Sequence, residues 1–253
     1  MKNTKALNWY QKTTKVGLLF TAILLLGSGI ISTCKAQAMY IVLIFGDKIA
    51  TEQFHLTIDA GLNISGMPGL DGTKNLIGLY YGMGTFIKLS DKWALTPEFK
   101  PLSQRGARGI KPLVVNPGLT DPSYKVRLNY IDLPLLVQYK ISPKMYISTG
   151  PQISFMVSAK QVSEGSSVDG NRETKIQMDV KDSFNKTYYS IPLEFGYVLP
   201  KILGKTIEFK ARYCIGLNEV IADKSYGSSR YRLWQVMLSL PFVKSESPKK
   251  MPE

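Results

Sequence analysis

The sequence predicts an all-β protein, an eight-stranded antiparallel up-and-down β-barrel that spans a membrane. Eight segments show apolar residues at every second position, a period that is typical of strands with one apolar and one polar face. The connections between these segments run alternately long and short along the chain. Short turns at one end and long loops at the other are the wiring of a bacterial outer-membrane barrel.

The first 38 residues have the pattern of an export signal, so the barrel is preceded by a signal peptide. Four lysines come before the apolar stretch 16–31, and Ala36-Gln37-Ala38 has the small residues of a cleavage site. The apolar stretch is shorter than the roughly 20 residues of a spanning helix, which argues against an uncleaved anchor. Lipidation at Cys34 stays open. We expect a signal peptide at 1–38, a periplasmic segment at 39–53, the barrel at 54–243 and a charged periplasmic tail at 244–253.

The strands follow one another at intervals that suit a meander. Their predicted ranges are 54–65, 76–89, 93–100, 124–140, 145–157, 187–199, 205–217 and 230–243. The first of them, FHLTIDAGLNIS, keeps its alternation without a break. Most are long enough for a tilted membrane span, which needs about 9 to 11 residues. The predicted long loops include 101–123 and 158–186.

The polar faces of the predicted strands carry both acids and bases. An eight-stranded barrel is just wide enough for its side chains to fill it, so we expect these charges to pair in the lumen. The opposite faces carry aromatic residues near the strand ends, as in the aromatic girdles of membrane barrels. A soluble barrel with a charged outside is the alternative. The predicted lumen charge network is Asp59, Glu98, Lys100, Arg127, Glu194, Glu208, Lys210, Arg212 and Arg232.

The formal net charge is +13, and loss of the five lysines in the export segment leaves +8. A basic surface often binds nucleic acid, but an exported chain does not meet intracellular nucleic acid. Arg105, Arg108 and Lys111 lie together in the predicted loop 101–123. Such clusters bind phosphate or carboxylate. We expect this loop to face the phosphates of lipopolysaccharide, or else an extracellular anionic ligand or a partner protein.

The sequence offers little for catalysis. His55 is the sole histidine, and a lone histidine without cysteine or histidine partners is a poor metal site. A catalytic base would also need a nucleophile and an orienting acid. Two cysteines, Cys34 and Cys214, make no disulfide framework. We therefore expect a monomer that is not an enzyme and has no cofactor, and we keep a lipid-modifying outer-membrane enzyme as the alternative.

Two segments point to a known family. The stretch LNYIDLPLL at 128–136, followed by YISTGP at 146–151, resembles the PorT-like outer-membrane β-barrel proteins of Bacteroidetes-type bacteria. The resemblance covers about Phe54 to Phe242 and implies a barrel in the outer membrane. The name-giving member serves a secretion apparatus. An accessory barrel of such an apparatus, or a narrow pore, is thus the alternative to a structural, receptor-like or adhesive role. Pro134 and Pro151 predict local kinks, because proline interrupts a strand ladder.

Overall fold

A computed structural model of the protein describes residues 50–51, 53–70, 72–115, 118–167, 173–200, 206–222 and 229–242. The predicted signal peptide, the predicted tail and nearly all of the segment 39–53 lie outside these residues. Their boundaries therefore stay predictions. Within the described ranges, no helix is long and apolar enough to cross a bilayer.

The described residues form ten strands and one short 3₁₀ helix. The strands are β1 (Phe54–Gly66), β2 (Lys74–Lys88), β3 (Trp93–Arg108), β4 (Leu119–Lys140), β5 (Met145–Thr149), β6 (Gln152–Ser167), β7 (Glu173–Asp179), β8 (Thr187–Val198), β9 (Glu208–Gly216) and β10 (Arg232–Pro241). The 3₁₀ helix, Lys181–Ser183, lies between β7 and β8.

The sheet closes on itself as an eight-stranded antiparallel barrel, which confirms the predicted fold class. β1 pairs with both β2 and β10, so the first and last strands meet. β5 and β6 act together as one wall strand, because β4 and β8 each pair with both of them. β7 pairs with β6 outside this ring as a hairpin arm.

The two prolines behave differently. The predicted kink occurs at Pro151, where the chain leaves β5 at Thr149 and resumes in β6 at Gln152. At Pro134, by contrast, β4 continues without interruption. The strand opposite is already broken there, since Pro134 stands across from Gln152 at the start of β6. One irregularity therefore accommodates both prolines.

The barrel is apolar outside and polar inside, the reverse of a soluble protein. Ile77 and Leu238 are 62% and 52% exposed, while Asp59 and Arg212 are fully buried. Aromatic pairs lie on the outer wall toward both ends, Trp93 with Tyr139 and Tyr213 with Trp234, at ring distances of 4.8 and 4.7 Å. Acyl chains are the solvent that suits this outer face.

Two predicted loops are largely strand. β3 continues to Arg108 and β4 begins at Leu119, so the loop predicted at 101–123 shrinks to 109–118. In the loop predicted at 158–186, β6 runs on to Ser167 and β7 pairs with it. These strand extensions are polar on both faces, and without apolar alternation their strand character leaves no period-two pattern.

Connections at the two ends of the barrel differ. The end with short turns, such as 89–92 and 141–144, is called here the turn end, and the opposite one the loop end. An apolar core fills the lumen at the loop end, and we name it the cap. The long connections supply Met67, Ile110, Val180, Phe184, Val220 and Ile221 to the cap, and the strands supply Ala107, Val126, Leu128, Met156, Ala159 and Leu233.

Candidate functional site

Arg212 is the centre of an ion-pair network that crosses the lumen. Its Nη2 lies 2.8 Å from Glu98 Oε2 and 2.5 Å from Glu194 Oε2. Its Nε donates a second hydrogen bond to Glu194 at 2.8 Å. The guanidinium of a β9 residue thus joins carboxylates from β3 and β8, and all three side chains are almost fully buried.

Lys100 extends this network to the far wall. Its Nζ lies 2.9 Å from Glu98 Oε2 and 3.0 Å from Asp59 Oδ2, and it donates a hydrogen bond to the Tyr80 hydroxyl. The other oxygen of Asp59 lies 3.2 Å from Lys210 Nζ. The structure therefore brings together six of the residues predicted for the lumen, in the order Lys210, Asp59, Lys100, Glu98, Arg212 and Glu194.

Arg105 and Asp132 form a second buried ion pair nearer the cap, with Nη2 and Oδ2 2.5 Å apart. The Arg105 guanidinium also lies 4.8 Å from the centre of the Tyr130 ring, within cation–π range. The prediction that Arg105 faces outward in a loop is wrong. It belongs to the extension of β3 and points into the lumen. The pattern did contain its partner, since Asp132 falls on the inner face of a clearly periodic strand.

The charges buried in the described barrel are balanced. Four acids and four bases have relative exposures below 9%: Asp59, Glu98, Asp132, Glu194, Lys100, Arg105, Lys210 and Arg212. Isolated buried charges are costly, and pairing offsets that cost. The middle of the lumen is thus filled by a network whose formal charges cancel.

Three residues predicted for the network stand apart from it. Glu208 is half-buried at the turn end and accepts a hydrogen bond of 2.7 Å from the Tyr146 hydroxyl. The luminal placement predicted for Arg127 and Arg232 is wrong, because both side chains are exposed on the outer wall. Arg232 is in phase with the lipid-facing Trp234, and Arg127 with Leu133. Strict strand phase would therefore have placed both of them outside.

Arg127 and Lys160 form a like-charged pair on the outer wall. They are direct partners in the register of β4 and β6, both are exposed, and neither has an acid within 4 Å among the described residues. Lys160 also faces Asp179 in the register with β7, but the Asp179 carboxylate accepts a hydrogen bond from the Lys181 backbone. Like charges directly opposite one another destabilise a sheet, which favours a bound counter-anion.

The nearest acid on β6 does not supply that counter-charge. Glu164 Oε1 lies 2.7 Å from Lys125 Nζ and 3.1 Å from Lys175 Nζ. Hydrogen bonds from these two lysines hold the pKa of the Glu164 carboxyl below its ordinary value. Glu164 is therefore committed to its own cluster, in the part of β6 that pairs with β7.

The two other residues of the predicted basic loop are exposed at the loop end. Arg108 ends β3, stands opposite Lys74, and donates from Nε to the Asn75 carbonyl at 3.0 Å. Lys111 lies in the shortened loop 109–118. Together with Arg127 and Lys160, they make the outer wall at the loop end basic.

The sequence model of a protein family described as outer membrane protein beta-barrel domain matches residues 51–222. The chain belongs to this family. It is therefore a β-barrel of the bacterial outer membrane, and its short turns face the periplasm while its long loops face outward. The cap lies at the extracellular end of the lumen. No curated protein matches the chain in sequence.

Solved structures similar to this outer-membrane barrel share little sequence with it. Neisserial surface protein A is 9% identical, over 77% of this chain and 98% of its own, with a TM-score of 0.40. OprG from Pseudomonas aeruginosa is 12% identical, with the same coverage and a TM-score of 0.42. Ail of Yersinia pestis is 16% identical over 76% of this chain and 100% of its own, with a TM-score of 0.38.

The remaining candidate residues lie inside the barrel. His55 stacks on Phe86 at the periplasmic end, with ring centres 4.5 Å apart. Cys214 is a buried free thiol whose Sγ lies 3.8 Å from Gln235 Oε1. In the described part of the chain, no three residues of the types His, Cys, Asp and Glu are grouped to hold a metal ion.

Proposed function

We propose that this outer-membrane barrel is a non-conducting, structural or receptor-like protein whose basic outer wall binds phosphate groups of lipopolysaccharide. It acts as a monomer, without a cofactor or an enzymatic step. The observation that carries the proposal is the exposed pair of Arg127 and Lys160, which has no acid within 4 Å among the described residues. Both side chains are exposed on the outer wall, where a phosphate of the lipid headgroups can bridge them.

The interior supports a surface role over transport. The cap fills the extracellular end of the lumen with apolar side chains. Below it, the balanced network of eight buried charges occupies the space that a pore would need. An ion entering this lumen would have to displace buried ion pairs, and breaking such a pair costs about 3–5 kcal/mol.

Lipopolysaccharide binding tests the proposal. We expect the double variant R127Q/K160Q to bind labelled lipopolysaccharide at least about tenfold more weakly than the unchanged protein, because two charge-assisted contacts are lost. The measurement is fluorescence anisotropy in detergent. Dephosphorylated lipopolysaccharide should bind the unchanged protein with similar weakness.

The matched control is K92Q/K140Q, which removes two exposed cations at the opposite, periplasmic end. This variant should keep full affinity for lipopolysaccharide. Electrophoresis with and without boiling checks the fold of each variant. An unboiled sample that migrates differently from the boiled one shows that the variant is a folded barrel. Equal affinity of R127Q/K160Q and the unchanged protein would remove the proposal.

Arg108 and Lys111 suit a second layer of anion contacts at the loop end. Both are exposed, and Arg108 keeps its guanidinium near the barrel through the bond to Asn75. In the same anisotropy assay, R108Q/K111Q separates two ligands. Loss of affinity assigns these residues to lipopolysaccharide, and full affinity leaves them to another anionic ligand or to a partner protein.

The finer placement among PorT-like proteins is also a proposal. It is supported by the structural roles of the two segments that resemble this family, 128–136 and 146–151. Asp132 of LNYIDLPLL binds Arg105, and the glycine and proline of YISTGP separate β5 from β6. These residues stabilise the wall of the barrel, so they give no argument for a role in secretion.

A further inference from the structure

The periplasmic end of the lumen contains open space, whereas the cap fills the extracellular end. Two adjoining cavities of about 180 and 300 Å³ lie there. They share His55, Phe86, Gln138 and Lys140 in their walls, and we call the two together the vestibule. The smaller cavity reaches up to Glu98 and Glu194, the lower edge of the buried network.

A negative pole lies in the wall of the smaller cavity. Glu208 lines the smaller cavity, and its carboxylate accepts a hydrogen bond from Tyr146. Among the described residues, no lysine or arginine lies within 4 Å of it. The nearby Lys210 is bound to Asp59 in the balanced network. Glu208 is therefore a half-buried acid without an ion pair of its own in the described part of the chain.

A positive pole lies at the rim. Lys92, Lys140 and Lys144 line the vestibule, and each is exposed without an acid within 4 Å in the described part of the chain. The Lys140 backbone N–H donates to the Lys92 carbonyl at 2.8 Å, which holds these two residues side by side. Asp91, the acid of this turn, is engaged by Lys88 at 2.8 Å.

We infer that the vestibule binds a small zwitterion, such as an amino acid or a short peptide. Its amine faces Glu208, and its carboxylate faces the rim lysines. A ligand with only a negative charge would leave Glu208 without an ion-pair partner. A ligand with only a positive charge would leave the rim lysines without one. At about 30 Å³ per water molecule, the smaller cavity has room for about six waters, so a ligand longer than an amino acid also occupies the adjoining larger cavity.

This inference goes beyond the proposed function, since it concerns the opposite face of the membrane and uses none of the outer-wall residues. The cap and the charge network lie between the vestibule and the extracellular side. The vestibule is thus a receptacle for a periplasmic solute.

His55 is a natural reporter for binding. It is the single histidine of the chain and it lines both cavities. The experiment uses protein purified from outer membranes without a histidine tag, grown with isotopically labelled histidine, and follows the imidazole signal by NMR. Glycylglycine should shift this signal saturably. Ethylamine and acetate, each with one charge, should not shift it over the same concentrations.

Variants assign the two poles. E208Q, which keeps the shape of the side chain, and K92Q/K140Q should each weaken glycylglycine binding about tenfold or more, a charge-assisted contact being lost in each case. The outer-wall variant R127Q/K160Q is the control and should bind as the unchanged protein does. Absence of a saturable shift, an equal response to ethylamine or acetate, or unchanged binding by both pole variants would overturn the inference. Each result is independent of the lipopolysaccharide assay.

Discussion

The sequence predicts which side chains of this barrel face the lumen, but not which of them form ion pairs with one another. Strand phase places Asp59, Lys100 and Arg212 on inner faces, and the structure finds them there. The sequence cannot say that Arg212 meets Glu98, because these residues come from strands far apart in the chain and meet only across the closed lumen. Arg105 escaped prediction because its strand is polar on both faces at that level.

The stability of the network depends most on Arg212, which pairs with two carboxylates. R212M keeps much of the volume but leaves Glu194 without an ion-pair partner and Glu98 with Lys100 alone. We expect it to lower the free energy of unfolding by about 3–5 kcal/mol. R232M, at the loop end of the outer wall, is the matched control and should change it by no more than about 1 kcal/mol, the range for a lipid-side arginine near the interface. Urea titration in detergent, followed by tryptophan fluorescence, measures both.

A further variant separates lost charge pairing from lost packing. Because R212M leaves one surplus acid in the network, the double variant R212M/E194Q restores the balance of charges and should regain a large part of the stability. Similar losses for R212M and R232M, or no recovery in the double variant, would contradict the described network.

At the scale of elements, the strands within the membrane were predictable and those beyond it were not. The lipid imposes period two on the outer face, so β1, β8 and β10 lie within a few residues of their predicted ranges. Where the strands leave the lipid, that constraint ends. The cap shows the same limit, since Phe184 stands alone in a polar stretch and Val220 and Ile221 form only a short apolar pair in another.

The cap holds two connections of the loop end together. Phe184 and Ile221 form a β-bridge, and the Asn185 N–H donates to the Val220 carbonyl at 2.8 Å. The variant F184A removes a ring that is 2% exposed, and loss of a buried phenylalanine costs about 3–5 kcal/mol. We expect the loops to open more often, which trypsin cleavage after Lys181 and Lys186 measures.

The control is L217A, which truncates a side chain that is 51% exposed in the neighbouring connection. It should leave the cleavage rate unchanged. The closed barrel should survive in F184A, as shown by its heat-dependent migration. Cleavage as slow as in the unchanged protein would show that Phe184 does not hold the loops.

The whole molecule is organised along the membrane normal. The extracellular end holds the cap and the basic outer wall, the middle holds the balanced ion pairs, and the periplasmic end holds the vestibule. The closure into eight strands followed from the alternation of long and short connections. The division of the lumen into three levels could not be predicted in this way, because it arises from contacts between side chains across the barrel.

Conductance in planar lipid bilayers tests the central claim most directly. The full protein, purified from outer membranes and shown to be folded by its heat-dependent migration, is added to a bilayer under voltage. A lumen filled by the cap and the ion pairs predicts no discrete current steps above those of the bare bilayer. Sustained, reproducible steps from the unchanged protein would contradict it, since ions would then pass through a lumen that the cap and the charge network are described as closing.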